Sequence, residues 1–188
     1  MQTIDDIRHD KLFFSRFKHS VLLLYQLGGP GPSIVIELSN VRLLSFIKVF
    51  DNISQCENYI QTNIDKIFTL IIYSENLQAW LTNKQHLPHN ICEIIIFCST
   101  TDNQTYTENW TNRFIQVKEI IMHNEVDRVL LLCGTKYLKK LSTCCQDDQG
   151  LLNLLNEDYR KLCLALSNCF LTEANRNDHI ISSSVESS

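Results

Sequence analysis

Five groups of residues have the types and spacing to do chemistry, and each has a plainer reading beside it. His86-x-x-His89-x-x-Cys92 has the spacing of a metal clip. Pro88 lies inside it, Cys92 opens an apolar run, and no fourth ligand sits nearby apart from the distant Cys144-Cys145. A structural zinc site ordinarily shows two close ligand pairs, so a polar loop with incidental histidines is the better reading and no metal is expected. Cys98 stands where an apolar run meets a polar loop, the place for ligands in open α/β sheets. A catalytic thiol needs a base that lowers its pKa, and no histidine is placed for that, so Cys98 reads as a strand-end thiol. Asp51 also ends an apolar run. A strand-end phosphoacceptor works beside an acidic pair on the first strand and a lysine on the last. Here Glu37 is the lone acid of Ile34–Leu38 and Lys118 lies inside its own strand, so Asp51 reads as a turn residue.

Gly28-Gly29-Pro30-Gly31-Pro32 is glycine-rich but lacks the Lys-Ser/Thr of a phosphate loop and the spacing of a dinucleotide fingerprint. Its prolines remove amide donors that a phosphate cradle uses. It reads as a turn. The eight cysteines make the fifth group. Cys92, Cys98, Cys133, Cys163 and Cys169 lie in apolar segments, where a free thiol behaves as a small hydrophobe. The acidic start, Met1-Gln2-Thr3-Ile4-Asp5-Asp6, is unlike a signal peptide. The thiols are therefore expected to be reduced and the chain cytoplasmic. Catalytic residues, cofactors and metals are all expected to be none.

The elements that position these residues follow from periodicity. Residues 1–33 read as a lead-in closed by the Gly/Pro loop, although Val21 to Leu27 is itself strand-like. Ile34–Leu38, Leu43–Phe50, Ile67–Tyr73, Ile91–Cys98 and Ile115–Ile121 are apolar and rich in β-branched residues, as buried strands are. Between them run helical patterns. Ser54-Gln55-Cys56-Glu57 matches a capping box, with Tyr59, Ile60 and Ile64 behind it. Ser74 to Gln85 carries Leu77, Trp80 and Leu81 on one face. Residues 99–105 read as a loop, and Thr105-x-x-Glu108 as the cap of a short helix bearing Trp110 and Phe114. Val126 to Leu141 fits a helix, although Val129-Leu130-Leu131-Leu132-Cys133 also fits a buried strand; the alternation favours the helix.

Near-continuous apolar strands alternating with helices describe a parallel sheet covered on both faces. The expected fold is an open, three-layer α/β domain over residues 34–145, flavodoxin- or receiver-like, with about five mostly parallel strands. An extra C-terminal helix is expected over 146–175, its stripe formed by Leu151, Leu152, Leu155, Leu162, Leu166 and Phe170. The Ser-rich tail, 176–188, is expected to be disordered.

Composition excludes several classes. Hydrophobic residues at 44% and charged residues at 20% describe an ordinary globular chain. A net charge of -4, with Lys136, Lys139 and Lys140 as the densest basic cluster, leaves no electrostatic footprint for nucleic acid. The longest apolar runs are strand length, too short to cross a bilayer.

The middle of the chain, roughly 34–125, resembles an α/β domain of large multidomain proteins of rotifers and related invertebrates. The likeness rests on Val49-Phe50-Asp51, Cys56-Glu57-Asn58-Tyr59-Ile60, Leu70-Ile71-Ile72-Tyr73-Ser74, Glu93-Ile94-Ile95-Ile96-Phe97-Cys98, Trp110 and Val117-Lys118. Such domains stand ahead of tetratricopeptide repeats, a mono-ADP-ribosyltransferase domain, or both. This chain departs from the pattern at Glu75-Asn76, where a Gly-bearing turn is usual, and at Lys118-Glu119, where Lys-Gly is usual. The resemblance implies a fold and a domain context, and with it a protein partner such as the repeats. The transferase itself is not expected here, because the chain contains no Glu-x-Glu and Ser182-Ser183-Ser184 lies in the tail. The function expected is a non-catalytic interaction or regulatory module. The alternative is a ligand- or nucleotide-binding domain, linked to NAD or ADP-ribose through that context, using loops 74–76, 99–105 and 121–125.

Overall fold

The computed structural model describes residues 18–25, 47–83 and 87–185, with backbone alone for Asn83 and 176–185. The strands are β1 (His19–Leu24), β2 (Ile47–Phe50), β3 (Ile67–Tyr73), β4 (Ile91–Cys98) and β5 (Val117–Met122). The helices are α1 (Ile53–Thr62), α2 (Ser74–Asn83), α3 (Thr101–Thr111), α4 (Val126–Cys144) and α5 (Gln149–Val185). A 3-10 turn, His123–Glu125, links β5 to α4.

The strands form one sheet in the order β2-β1-β3-β4-β5, and every neighbouring pair is parallel. This is the open α/β architecture that the strand–helix alternation predicts. Ile67–Tyr73 and Ile91–Cys98 are parallel neighbours. Ile34–Leu38 lies outside the described residues, as do Gly28–Pro32, Leu43, Leu44 and His86. His19–Leu24 corrects the view of 1–33 as a lead-in, because it is an inner strand paired with both β2 and β3. Its Val21-Leu22-Leu23-Leu24 run is buried, and only a strand inside the sheet hides so long a run on both faces.

Side chains alternate across the sheet. Leu22, Leu24, Phe68, Leu70, Ile72, Ile94, Ile96 and Cys98 join Cys56 and Ile60 of α1 and Leu77 and Trp80 of α2 in one core. Val21, Leu23, Ile71, Tyr73, Ile95 and Phe97 point to the opposite face and are buried as well. Burial on both faces is why these strands lack the alternating polar pattern of a half-exposed sheet.

Two register shifts break the alternation. Phe68 pairs with Ile91 and Thr69 with Glu93, so Cys92 is an extra residue in β4; Ile94 pairs with Val117 and Ile95 with Glu119, so Lys118 is extra in β5. Sequence spacing puts Cys92 and Cys98 on one buried face. The bulge shifts the phase by one residue, so Cys98 is buried while Cys92 is exposed, its Sγ reaching the Phe68 carbonyl at 3.2 Å.

Helix starts also differ from their sequence signatures. Asn52, rather than Ser54, caps α1, its Oδ1 accepting from the Gln55 amide at 3.1 Å. Glu57 is buried and accepts from Gln61 Nε2 at 3.2 Å. α3 begins inside the segment expected as a loop: Thr100 Oγ1 accepts from the Asn103 amide at 3.2 Å. Once Thr100 caps, polar residues continue the turn, since propagation adds one hydrogen bond per residue fixed.

Residues 126–144 are helical, as the alternation requires. The chain divides into two compact units at Asp127/Arg128, so most of α4 belongs with α5 rather than with the expected 34–145 domain. α5 spans 37 residues, about 55 Å at the α-helical rise. It runs to Val185, past the expected end at 175 and through most of the tail expected to be disordered. Ile180, Ile181 and Val185 recur there, and extending a formed helix needs no new nucleus. No helix among the described residues is long and apolar enough to cross a membrane.

Candidate functional site

In an open parallel sheet, ligands bind beyond the C-terminal strand ends where successive connections leave in opposite directions. With the order β2-β1-β3-β4-β5, that point lies between β1 and β3. The residues just beyond these ends are Tyr25 after β1, Ser74-Glu75-Asn76 after β3, Ser99-Thr100 after β4 and His123 after β5.

Three aromatic rings occupy the switch point. Tyr25 meets Tyr73 edge-on at 6.1 Å between centroids and Phe97 at 6.0 Å, and Tyr73 and Phe97 lie 5.5 Å apart. These separations are those of rings in mutual contact, so the triangle holds no space for a ligand ring or a methylated ammonium between its members. Tyr73 is 6% exposed and Phe97 is fully buried. Around them runs a short polar chain. Tyr73 Oη donates to Glu75 Oε1 at 3.0 Å and lies 3.5 Å from Ser99 Oγ, which in turn accepts from Asn103 Nδ2 at 3.0 Å. Burial pushes the Tyr73 phenol above its ordinary pKa; the Ser99 hydrogen bond opposes this and the one to Glu75 adds to it. Tyr25 Oη is buried and has no hydrogen-bond partner among the described residues. Glu75 is the acidic member of this chain, and a carboxyl group is a poor partner for a phosphate.

Burial holds the thiols here in their neutral form. Cys98 Sγ lies 3.7 Å from Thr107 Oγ1, and burial raises its pKa against the downward pull of the Thr107 and Ser74 hydroxyls. Cys56, under the same core, is pushed up to about 12 by burial and by neighbouring Glu57. A reactive cysteine needs the opposite shift. Asp51 is exposed in a bend after β2 and precedes the residue that caps α1, which is the turn role its sequence setting suggests.

A second cluster lies at the other end of the strands and has no sequence signature. His19 Nε2 on β1 is 2.8 Å from Thr69 Oγ1 on β3, which donates to Glu93 Oε2 on β4 at 3.3 Å. The bulged Cys92 also meets the Thr69 hydroxyl, but burial and Glu93 raise its thiol pKa. Thr69 is buried, so this chain satisfies its hydroxyl while tying three strands together.

Near that end an open apolar groove of about 450 Å³ is lined by Ile60, Gln61, Ile64, Leu87, Pro88 and His89. Glu57 and Asn90 complete the lining, Asn90 Nδ2 donating to the Ile60 carbonyl at 3.2 Å. Among the described residues no group of three or more His, Cys, Asp or Glu side chains is placed to hold a metal ion, and His86 lies outside them.

The C-terminal unit offers a different kind of surface. Leu155 and Leu162 of α5 are buried, with Asp158 between them. Past Leu162 the cover is partial, with Cys163, Ala165, Leu166 and Cys169 half-buried. Leu164 is 56% exposed, Phe170 47% and Leu171 59%. Sequence spacing places Phe170 in the buried stripe; it lies on the flank of that stripe and is exposed, while Leu166 and Cys169 on the stripe are half-buried.

No family model matches the chain, and neither curated proteins nor solved structures provide a match.

Proposed function

We propose that the chain is a non-catalytic interaction module, in which the parallel sheet is a rigid scaffold and α5 is the element that engages a protein partner. The observation that carries this reading is the two-sided character of α5: Leu155 and Leu162 are buried on one face, while Leu164 and Leu171, seven residues apart, stand exposed on the opposite face. Large apolar and aromatic side chains left open on a helix are the usual anchors of helix-in-groove recognition. The closed aromatic triangle at the switch point and the raised thiol pKa values support it from the other side, because they leave those positions without a reactive group. The resemblance to domains that precede tetratricopeptide repeats supplies the partner class, a helical repeat surface. Eight unbridged cysteines suit a reducing, cytoplasmic setting.

The test is direct capture. The chain is passed over an immobilised tetratricopeptide-repeat array, beside a Leu164→Asp/Leu171→Asp variant. The parent binds and the variant does not, while both keep one melting temperature. Equal retention of both proteins, or of neither, removes the reading.

A second reading, ligand binding at the strand ends, is favoured by the unpartnered Tyr25 hydroxyl at the switch point. A thermal-shift screen with NAD, ADP-ribose and nucleotides separates the two. A ligand at about a hundred times its Kd adds roughly 2.7 kcal/mol to stability, and the interaction reading expects no shift.

A further inference from the structure

We draw no further inference here: the strongest candidate, the side-chain cluster of His19, Thr69, Cys92 and Glu93 at the N-terminal end of β1, β3 and β4, is accounted for as a hydrogen-bonded tie between strands, and nothing in the structure points to a ligand for it.

Discussion

Replacing Leu162 with alanine tests whether α5 is an anchored helix or a loose appendage. Leu162 is fully buried and Leu155 is 1% exposed, so each side chain has exchanged water for packed neighbours. Truncating a buried leucine to alanine costs about 2–5 kcal/mol, the transfer term plus the residual cavity. In a chain of this size 1 kcal/mol moves the melting temperature by about 2–4 °C. Leu162→Ala should therefore melt roughly 4–20 °C below the parent. The matched control is Leu171→Ala, at a position 59% exposed. Surface changes of that kind stay within about 0.5 kcal/mol, which is a shift of under about 2 °C. Both variants carry the same chemical change on the same helix, so helix propensity cancels between them. The assay is a far-ultraviolet circular dichroism melt, repeated in urea so that the midpoint and slope are read separately. If Leu162→Ala melts with the parent, or Leu171→Ala falls as far as Leu162→Ala, then α5 is not anchored as its burial indicates. The Leu155→Asp/Leu162→Asp pair should be harsher still, since each adds a buried charge without a partner.

Three further outcomes are expected. A bulky maleimide should tag Cys92 in the native protein well before Cys56 and Cys98, as peptide mapping would show; early tagging of Cys98 would mean that β4 is not buried at its C-terminal end. The Cys56 thiol is held near 12 in the fold against about 9 when exposed, so burial of its neutral form stabilises fully below about pH 9 and the gain is lost as pH climbs towards 12. The unfolding free energy from urea titrations should fall across that window by up to about 1.4 kcal/mol per pH unit, and Cys56→Ala should flatten that slope. Burial raises the pKa of Asp158 more than Lys161 lowers it, so its contribution favours folding at low pH and fades as pH rises through the carboxylate range; Asp158→Asn should be stabilising near neutral pH and lose that advantage in acid, and a loss of stability at neutral pH would show that the ion pair with Lys161 dominates instead.

Much of the fold was legible because its strongest signals are local. Ile67–Tyr73 and Ile91–Cys98 are apolar along their length, and such runs belong to strands buried on both faces. The helix at 126–144 was decided by alternation, since its Val129–Cys133 run is ambiguous by itself. What stayed hidden depended on pairing. A bulge at Cys92 exists because of the register that β3 imposes, so spacing within β4 cannot disclose it. The sequence predicts the helix carrying Trp110 from Thr105, but the first turn of α3 hid behind a polar sequence: Thr100 Oγ1 caps it, and Gln104 Nε2 donates to the Ile120 carbonyl at 3.2 Å, a contact that depends on where β5 lies.

The candidate site was hidden for the same reason, one level up. A switch point is a property of strand order, and strand order is decided by which apolar strand fills the place beside β3. With His19–Leu24 in that place, Tyr25 is carried to the crevice mouth, next to Tyr73 and Phe97. Each ring sits at the end of a different strand, so their meeting cannot be read from any one of them. Their packing also bears on function. A pocket there would require the Tyr73 ring to leave Phe97 and its hydroxyl to give up Glu75. Ring contact beyond simple burial is worth about 0.5–1.5 kcal/mol, and a hydrogen bond to a charged acceptor about 1.5–3 kcal/mol. A ligand at the switch point would first have to offset both losses, whereas a partner on Leu164, Phe170 and Leu171 displaces only water.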